Sequence, residues 1–200
     1  MNLVDQFGNI DIYVFDQLLR GRITPGMRVF DAGCGGGRNL VYLLREGYQV
    51  SGNDSAANAV AQVRALAESL APGQAHDFRV EAIESTSFPD AHFDVVIASA
   101  VLHFARDAAH FEAMLRQLWR VLKPGGLFFA RLASTIGLGD DAQPLGNGWY
   151  RLPDGSDRFL VDAGTIESWT RRLGGTLADP IKTTVVHGQR SMTTWVAVRD

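Results

Sequence analysis

Apolar residues in this chain fall into short continuous runs separated by segments of helical spacing. Near the N-terminus Ile10, Val14 and Leu18 recur at helical intervals, and residues 1–24 are read as a helical cap. Pro25-Gly26 then supplies a turn, and Val29-Phe30 lead a strand inward. In "RNLVYLLREG" Leu40, Val41, Leu43 and Leu44 predict a helix that Gly47 stops. "YQVSGND" is a second short strand. Ser55 is placed to cap the next helix, which carries Val60, Val63, Leu66 and Leu70 and is ended by Pro72-Gly73.

The alternation continues. "DFRVEAI" reads as a third strand, and "FDVVIASAVL" as a fourth, apolar enough to be buried on both faces. Asp107 opens a long helix with Phe111, Met114, Leu115, Leu118, Val121 and Leu122 on one face. "KPGG" breaks it before the fifth strand, "LFFARLA". The order predicts an α/β fold with a doubly wound, mostly parallel seven-stranded sheet and helices on both faces. After that strand the pattern changes. Residues 133–160 are rich in Gly, Pro and Asp, too long for a plain connector, and are read as a variable loop or lid. A helix is predicted over 163–173. Two β-rich runs around His187-Gly188-Gln189-Arg190 then form an antiparallel C-terminal hairpin. Residues 1–200 are read as a single domain, without internal repeats.

Composition narrows the classes. Charge is sparse and mixed, with a formal net of −3 and no basic run, which disfavours a nucleic-acid partner. Cys34 is the only cysteine, so an internal disulfide is impossible and no metal site is predicted. No apolar run has the length of a membrane span, and the first residues lack a signal-peptide pattern. A soluble, cytoplasmic monomer or homodimer is expected.

The chemistry concentrates in "VFDAGCGGGRN", where Gly33, Gly35, Gly36 and Gly37 crowd the first strand-to-helix turn. In a doubly wound sheet this turn lies at the ligand-binding end of the strands. A Walker-type phosphate loop needs Gly-Lys-Ser/Thr, which is missing. A dinucleotide fingerprint starts well at Gly33 and Gly35 but meets Arg38 at its sixth position. The pattern that fits is D-x-G-x-G-x-G from Asp31 to Gly37. Its acid suits a cationic ligand, and its glycines suit one lying on the backbone. Asp54, ending the second strand, suits ribose hydroxyls.

Four stretches in order carry a family resemblance: "VFDAGCGGGRN", "VSGNDSAANAV", "ESTSFPDAHFDVVIASAVLHF" and "LRQLWRVLKPGGLFFARL". Together they resemble a class I S-adenosylmethionine-dependent methyltransferase over roughly the whole chain, with a Rossmann-like fold. "GGGRNLVYLL" resembles the small-molecule branch, including tellurite-resistance-type enzymes. The resemblance implies S-adenosylmethionine as cofactor, S-adenosylhomocysteine as product and a small-molecule methyl acceptor as partner. It implies that Asp31 faces the methionine ammonium, through water or directly, and that the backbone of Gly33, Cys34, Gly35 and Gly37 carries the methionine part. Asp54 would hold the ribose, Ala82 and Ile83 would border the adenine, and the segment from Ser99 to Val101 would lie under the sulfonium. Glu81 stands where the family often has Asp.

Methyl transfer from a sulfonium needs alignment and exclusion of water, and a base only for a protonated acceptor. His103, after the fourth strand, is the candidate base, with a histidine hydrogen-bonded beneath the loop as the other reading. Arg38 is read as a solvated first-turn side chain or as a partner of the cofactor carboxylate, and Cys34 as a small loop residue rather than a reactive thiol. Trp149, Tyr150, Arg151, Arg158, His187 and Arg190 form either an aromatic and cationic lid for a compact anionic acceptor or ordinary surface packing. Tyr13 either closes over the cofactor or packs on its helix face. A non-catalytic adenosyl-ligand binder and a nicotinamide-dependent oxidoreductase stand as alternative functions.

Overall fold

The computed structural model describes residues 2–138 and 141–200, so Met1 of the predicted cap and Gly139-Asp140 of the predicted lid lie outside it. Helices α1 (Leu3–Phe7) and α2 (Ile12–Leu19) come first. The alternating part then runs through β1 (Arg28–Ala32), α3 (Val41–Arg45), β2 (Gln49–Asp54), α4 (Ala57–Leu70) and β3 (Asp77–Val80). It continues with β4 (Phe93–Ser99), α5 (Ala108–Val121) and β5 (Leu122–Ala133). Three short strands follow, β6 (Gln143–Gly146), β7 (Trp149–Arg151) and β8 (Asp157–Phe159). The chain closes with α6 (Ala163–Arg172), β9 (Gly175–Leu177), β10 (Lys182–Val186) and β11 (Arg190–Arg199).

The main sheet has the order β10-β11-β5-β4-β1-β2-β3, parallel from β5 to β3. Only β11 runs against it, pairing antiparallel with β5 and β10. The expected seven strands are joined by an eighth, since β9 also pairs with β11. Strand order reverses at β1, between β2 and β4, which opens a crevice beyond the C-terminal ends of β1 and β4.

The period-2 geometry of strands explains the continuous apolar runs. Val96, Ala98, Phe128, Ala130 and Trp195 point to one face, against Phe111, Leu115 and Leu118 of α5 and Ile166 of α6. Val29, Val95, Ile97 and Phe129 point to the other, against Val14 of α2, Leu43 and Leu44 of α3 and Val60 and Val63 of α4. Both faces are buried, as their sequences require.

Three local expectations are corrected. The first crossover helix is a single short piece, because residues 35–40 are spent in turns around the glycine loop. Ser55 does not cap α4; Asp54 Oδ1 accepts the Ala56 N–H instead, at 2.9 Å. Residues 133–160 contain a three-stranded antiparallel sheet, β6-β7-β8, rather than a plain loop. It is anchored: the Trp149 indole N–H donates to the Arg106 carbonyl at 2.8 Å, and Tyr150 packs on Leu138, Leu152 and Leu160. Among the described residues no helix is long and apolar enough to cross a membrane.

Candidate active site

The loop after β1 is tied to the end of β2. The Cys34 N–H donates to the Asn53 carbonyl at 2.9 Å, and the Gly35 N–H to Asp54 Oδ2 at 3.0 Å. The glycines divide their work. Gly37 has φ +86, and a Cβ there would stand 2.8 Å from Val63 Cγ2, so α4 packs against bare backbone. Gly33 is similar, with Val101 Cγ2 only 2.5 Å from its missing Cβ. Gly35 has φ +53 but meets nothing within 4 Å, because it faces the crevice. Gly35→Ala should therefore still fold, costing about 1–2 kcal/mol for a left-handed alanine, and should block whatever lies on the loop. Thermal melts beside ligand titrations check this, and Gly37→Ala should show the larger loss of stability.

Two cavities share Gly33 and Ala100 as a common wall. The larger, of 840 Å³, runs from the glycine loop past Ser99 and His103 to β8 and β11. The smaller, of 420 Å³, lies over Asp54, Ala82 and Ile83, with Phe104 and Met114 as apolar walls. Both fall in the range of small-molecule sites. Ala100 itself holds φ +62, a strained conformation at the junction, and its N–H donates to the Arg131 carbonyl at 2.7 Å.

Each residue predicted to hold the cofactor is found at this crevice or directly behind it. Asp54 lines the smaller cavity with both oxygens already accepting backbone N–H groups. Ala82 and Ile83 line the same cavity, and the Ala82 carbonyl accepts from Asn53 Nδ2 at 3.4 Å. Glu81 lines it too, but its carboxylate is engaged by the Ser87 N–H and hydroxyl. Asp31 is not on the cavity wall. It lies fully buried behind the loop with Oδ2 unpartnered, and burial pushes its carboxyl up to about 7, against the opposing charge of Arg38 and a hydrogen bond from Asn39. Burial also pushes the Cys34 thiol well above its ordinary value, with Asp31 and Asp54 adding to it, so the thiol stays protonated.

Ser99 belongs to a buried polar network centred on Asp11, which the sequence reading did not single out. Asp11 Oδ2 accepts from Ser99 Oγ and from Arg131 Nη1, each at 3.1 Å, while Oδ1 accepts the Tyr13 N–H as the N-cap of α2. Arg38 Nη2 donates to Ser99 Oγ at 3.0 Å, while about half of the side chain stays exposed, 46% by area, in keeping with a solvated first-turn residue. Tyr13 packs: its hydroxyl bonds Thr184 Oγ1 at 2.8 Å and its ring lies under the Arg131 guanidinium. One signal for this network was present in the sequence, since Arg131 is the single charge inside the apolar strand "LFFARLA".

His103 lines the larger cavity and is buried. Its Nδ1 accepts the Ala133 N–H at 3.3 Å, which leaves the ring proton on Nε2. Burial, then the Arg158 cation, pushes its pKa down to about 4, so the ring is neutral at pH 7 and poorly suited to take a proton. Of the other lid residues, Arg158 and Arg190 line the cavity, whereas Arg151 is paired with Asp157 on the outer surface.

Comparison with known proteins agrees with this geometry. Residues 30–130 match the family model described as a methyltransferase domain. A ubiquinone biosynthesis O-methyltransferase from Methylocella silvestris is 38% identical over 117 residues, covering 56% of this chain and 44% of the relative. The same-named enzyme of Xanthomonas axonopodis pv. citri is 30% identical over 174 residues, covering 82% and 69%. The chain spans under half the length of the first curated relatives it matches. Among solved structures, a Burkholderia thailandensis 1,6-didemethyltoxoflavin-N1-methyltransferase superposes with a TM-score of 0.73 at 17% identity, over 97% of this chain and 80% of that one. The chain belongs to the methyltransferase-domain family and has the fold of the class I S-adenosylmethionine-dependent enzymes.

Proposed function

We propose that the protein transfers a methyl group from S-adenosylmethionine to a small-molecule acceptor. The observation that carries this reading is the pair of cavities meeting at Gly33 and Ala100, with an unpartnered, buried carboxylate oxygen of Asp31 behind the shared wall. A ligand with a cationic group at the loop and no phosphate fits that donor set. In this assignment the backbone from Gly33 to Gly37, with Ser99, holds the methionine part, and Asp31 acts on the ammonium from behind the loop. Asp54 takes the ribose, and Ala82 and Ile83 border the adenine.

When bound, the cofactor supplies a methyl group on a sulfonium, whose sulfur keeps the electron pair as the methyl leaves. The chain then has to hold both reactants in line and exclude water. We assign His103 the part of a neutral hydrogen-bond donor through Nε2 toward the acceptor, in place of a base. Its accepting Nδ1 and its low pKa support this. The names of the curated relatives support oxygen as the acceptor atom, and with no base assigned on the chain that oxygen takes the methyl as an anion or gives its proton to water.

Calorimetric titration with S-adenosylmethionine, S-adenosylhomocysteine and NAD tests the cofactor, and release of S-adenosylhomocysteine with an acceptor panel tests transfer. Tighter binding of NAD would end this reading. Asp54→Ala is expected to weaken S-adenosylmethionine by about 1–2 kcal/mol, from lost ribose hydrogen bonds and a loosened Gly35 N–H. Unchanged affinity would show that the ribose lies elsewhere.

A further inference from the structure

The larger cavity carries more positive charge than the single carboxylate of the cofactor's methionine part would balance. Four arginines line it, Arg38, Arg131, Arg158 and Arg190, and Asp154 is the single carboxylate among the described lining residues. Arg38 is occupied by Ser99. Arg131 gives one terminal nitrogen to Asp11, and its Nε is buried without a partner. Arg158 donates only to the Asp157 carbonyl and lies over the Phe104 ring at 5.1 Å. Neither Arg158 nor Arg190 has a carboxylate within ion-pair distance among the described residues. Arg151, seven residues before Arg158 and facing outward, does have one in Asp157. Arg131 and Arg38 reach the buried Asp11 carboxylate at 3.1 and 3.9 Å, so of the four lining arginines Arg158 and Arg190 are the two without an ion pair among the described residues.

These cations come from separate elements, β5, β8 and the start of β11, so the fold rather than a local run of sequence brings them together. Like charges converging on one space repel, and the arrangement is favourable when an anion joins them. Asp154 supplies one negative charge of that kind, fewer than the cations around it. It is held below the usual carboxylate range by the Ser156 hydroxyl and N–H, and then by the charges of Arg190 and Arg158. The planar forks of arginine match a carboxylate in bidentate geometry.

Resting on the assignment of this cleft to methyl transfer, we propose that the acceptor carries a carboxylate, gripped by Arg158 and Arg190 on the outer wall and by Arg131 at the floor.

The test is calorimetric titration of the protein saturated with S-adenosylhomocysteine, using benzoate against benzamide, succinate against succinamide, and phenyl phosphate. At least one carboxylate should bind ten times or more tightly than its amide. Arg158→Gln and Arg190→Gln should each lose tenfold or more of that affinity, with unfolding temperatures close to the parent's. Equal binding of acid and amide, no measurable acid binding, or full affinity in both variants would overturn the proposal. Phenyl phosphate binding more tightly than either acid would overturn the carboxylate in favour of a phosphate ester. Should S-adenosylhomocysteine itself not bind, the cofactor assignment fails. The same titrations on the ligand-free protein then still judge the arginine wall.

Discussion

Asp31→Asn is expected to make the ligand-free protein more stable above pH 7 and, in the same variant, to weaken S-adenosylmethionine tenfold to a hundredfold. Both effects follow from one buried carboxyl. Burial holds Asp31 at about 7 instead of 3.8, and Oδ2 has no partner. A displacement of that size means that ionised Asp31 costs the folded state about 4 kcal/mol relative to the unfolded chain. The sign is that of a raised acid. Between about pH 4 and pH 7 the folded protein keeps a proton that the unfolded chain has lost, so this contribution to stability is present at low pH and falls as pH rises to about 7. Asparagine keeps the shape without the charge, and a gain of about 1–2 kcal/mol remains after the amide's own imperfect pairing. A cationic ammonium beyond the loop reverses the balance, because it stabilises the carboxylate, and asparagine forfeits that attraction. Melts from pH 5 to pH 8 with and without ligand read both halves. A variant no more stable than the parent at pH 8, or one that binds the cofactor as well, would refute the role given to Asp31.

Asp11→Ala is expected to cost about 3–4 kcal/mol, which for a chain of this size lowers the unfolding temperature by roughly 6–15 °C. The Asp11 side chain is fully buried and accepts from three groups at once. Alanine removes the N-cap of α2, about 1 kcal/mol by itself. It also strands the Ser99 hydroxyl and leaves Arg131 without its counter-charge, with Nε already unpartnered. Asp11→Asn keeps an acceptor for the cap and should recover part of the loss. Urea denaturation of both variants checks the order, and an alanine variant within 1 kcal/mol of the parent by the same extrapolation would show that the network carries no stability. The network also joins α2 to the floor of the larger cavity, so its loss should loosen the N-terminal helices over the crevice.

The helix and strand alternation was legible because each element advertises its own period. β4 reads as doubly buried from seven residues, and Asp107 announces its helix by accepting the His110 N–H at 2.7 Å. The smaller misreadings have local causes as well. Ser55 has the right chemistry for a cap, but Asp54, one position earlier, reaches Ala56 and the glycine loop together. Residues 133–160 looked like a loop because strands of three and four residues are too short to show alternation.

By itself the chain's sequence determined the layered α/β architecture, the glycine turn at the end of β1 and the acid at the end of β2. All of these are encoded by neighbours within a few turns of helix or residues of strand. Tertiary structure decided which glycine faces the ligand, since only packing distinguishes Gly37 under Val63 from Gly35 with nothing above it. It decided that Asp11 meets Ser99 and Arg131, 88 and 120 residues away, and that His103 spends its lone pair on Ala133. It also gathered Arg131, Arg158 and Arg190 around one space. Periodicity sets the face of an element, whereas charge partners at such separations are chosen by how the elements stack, which no local pattern contains.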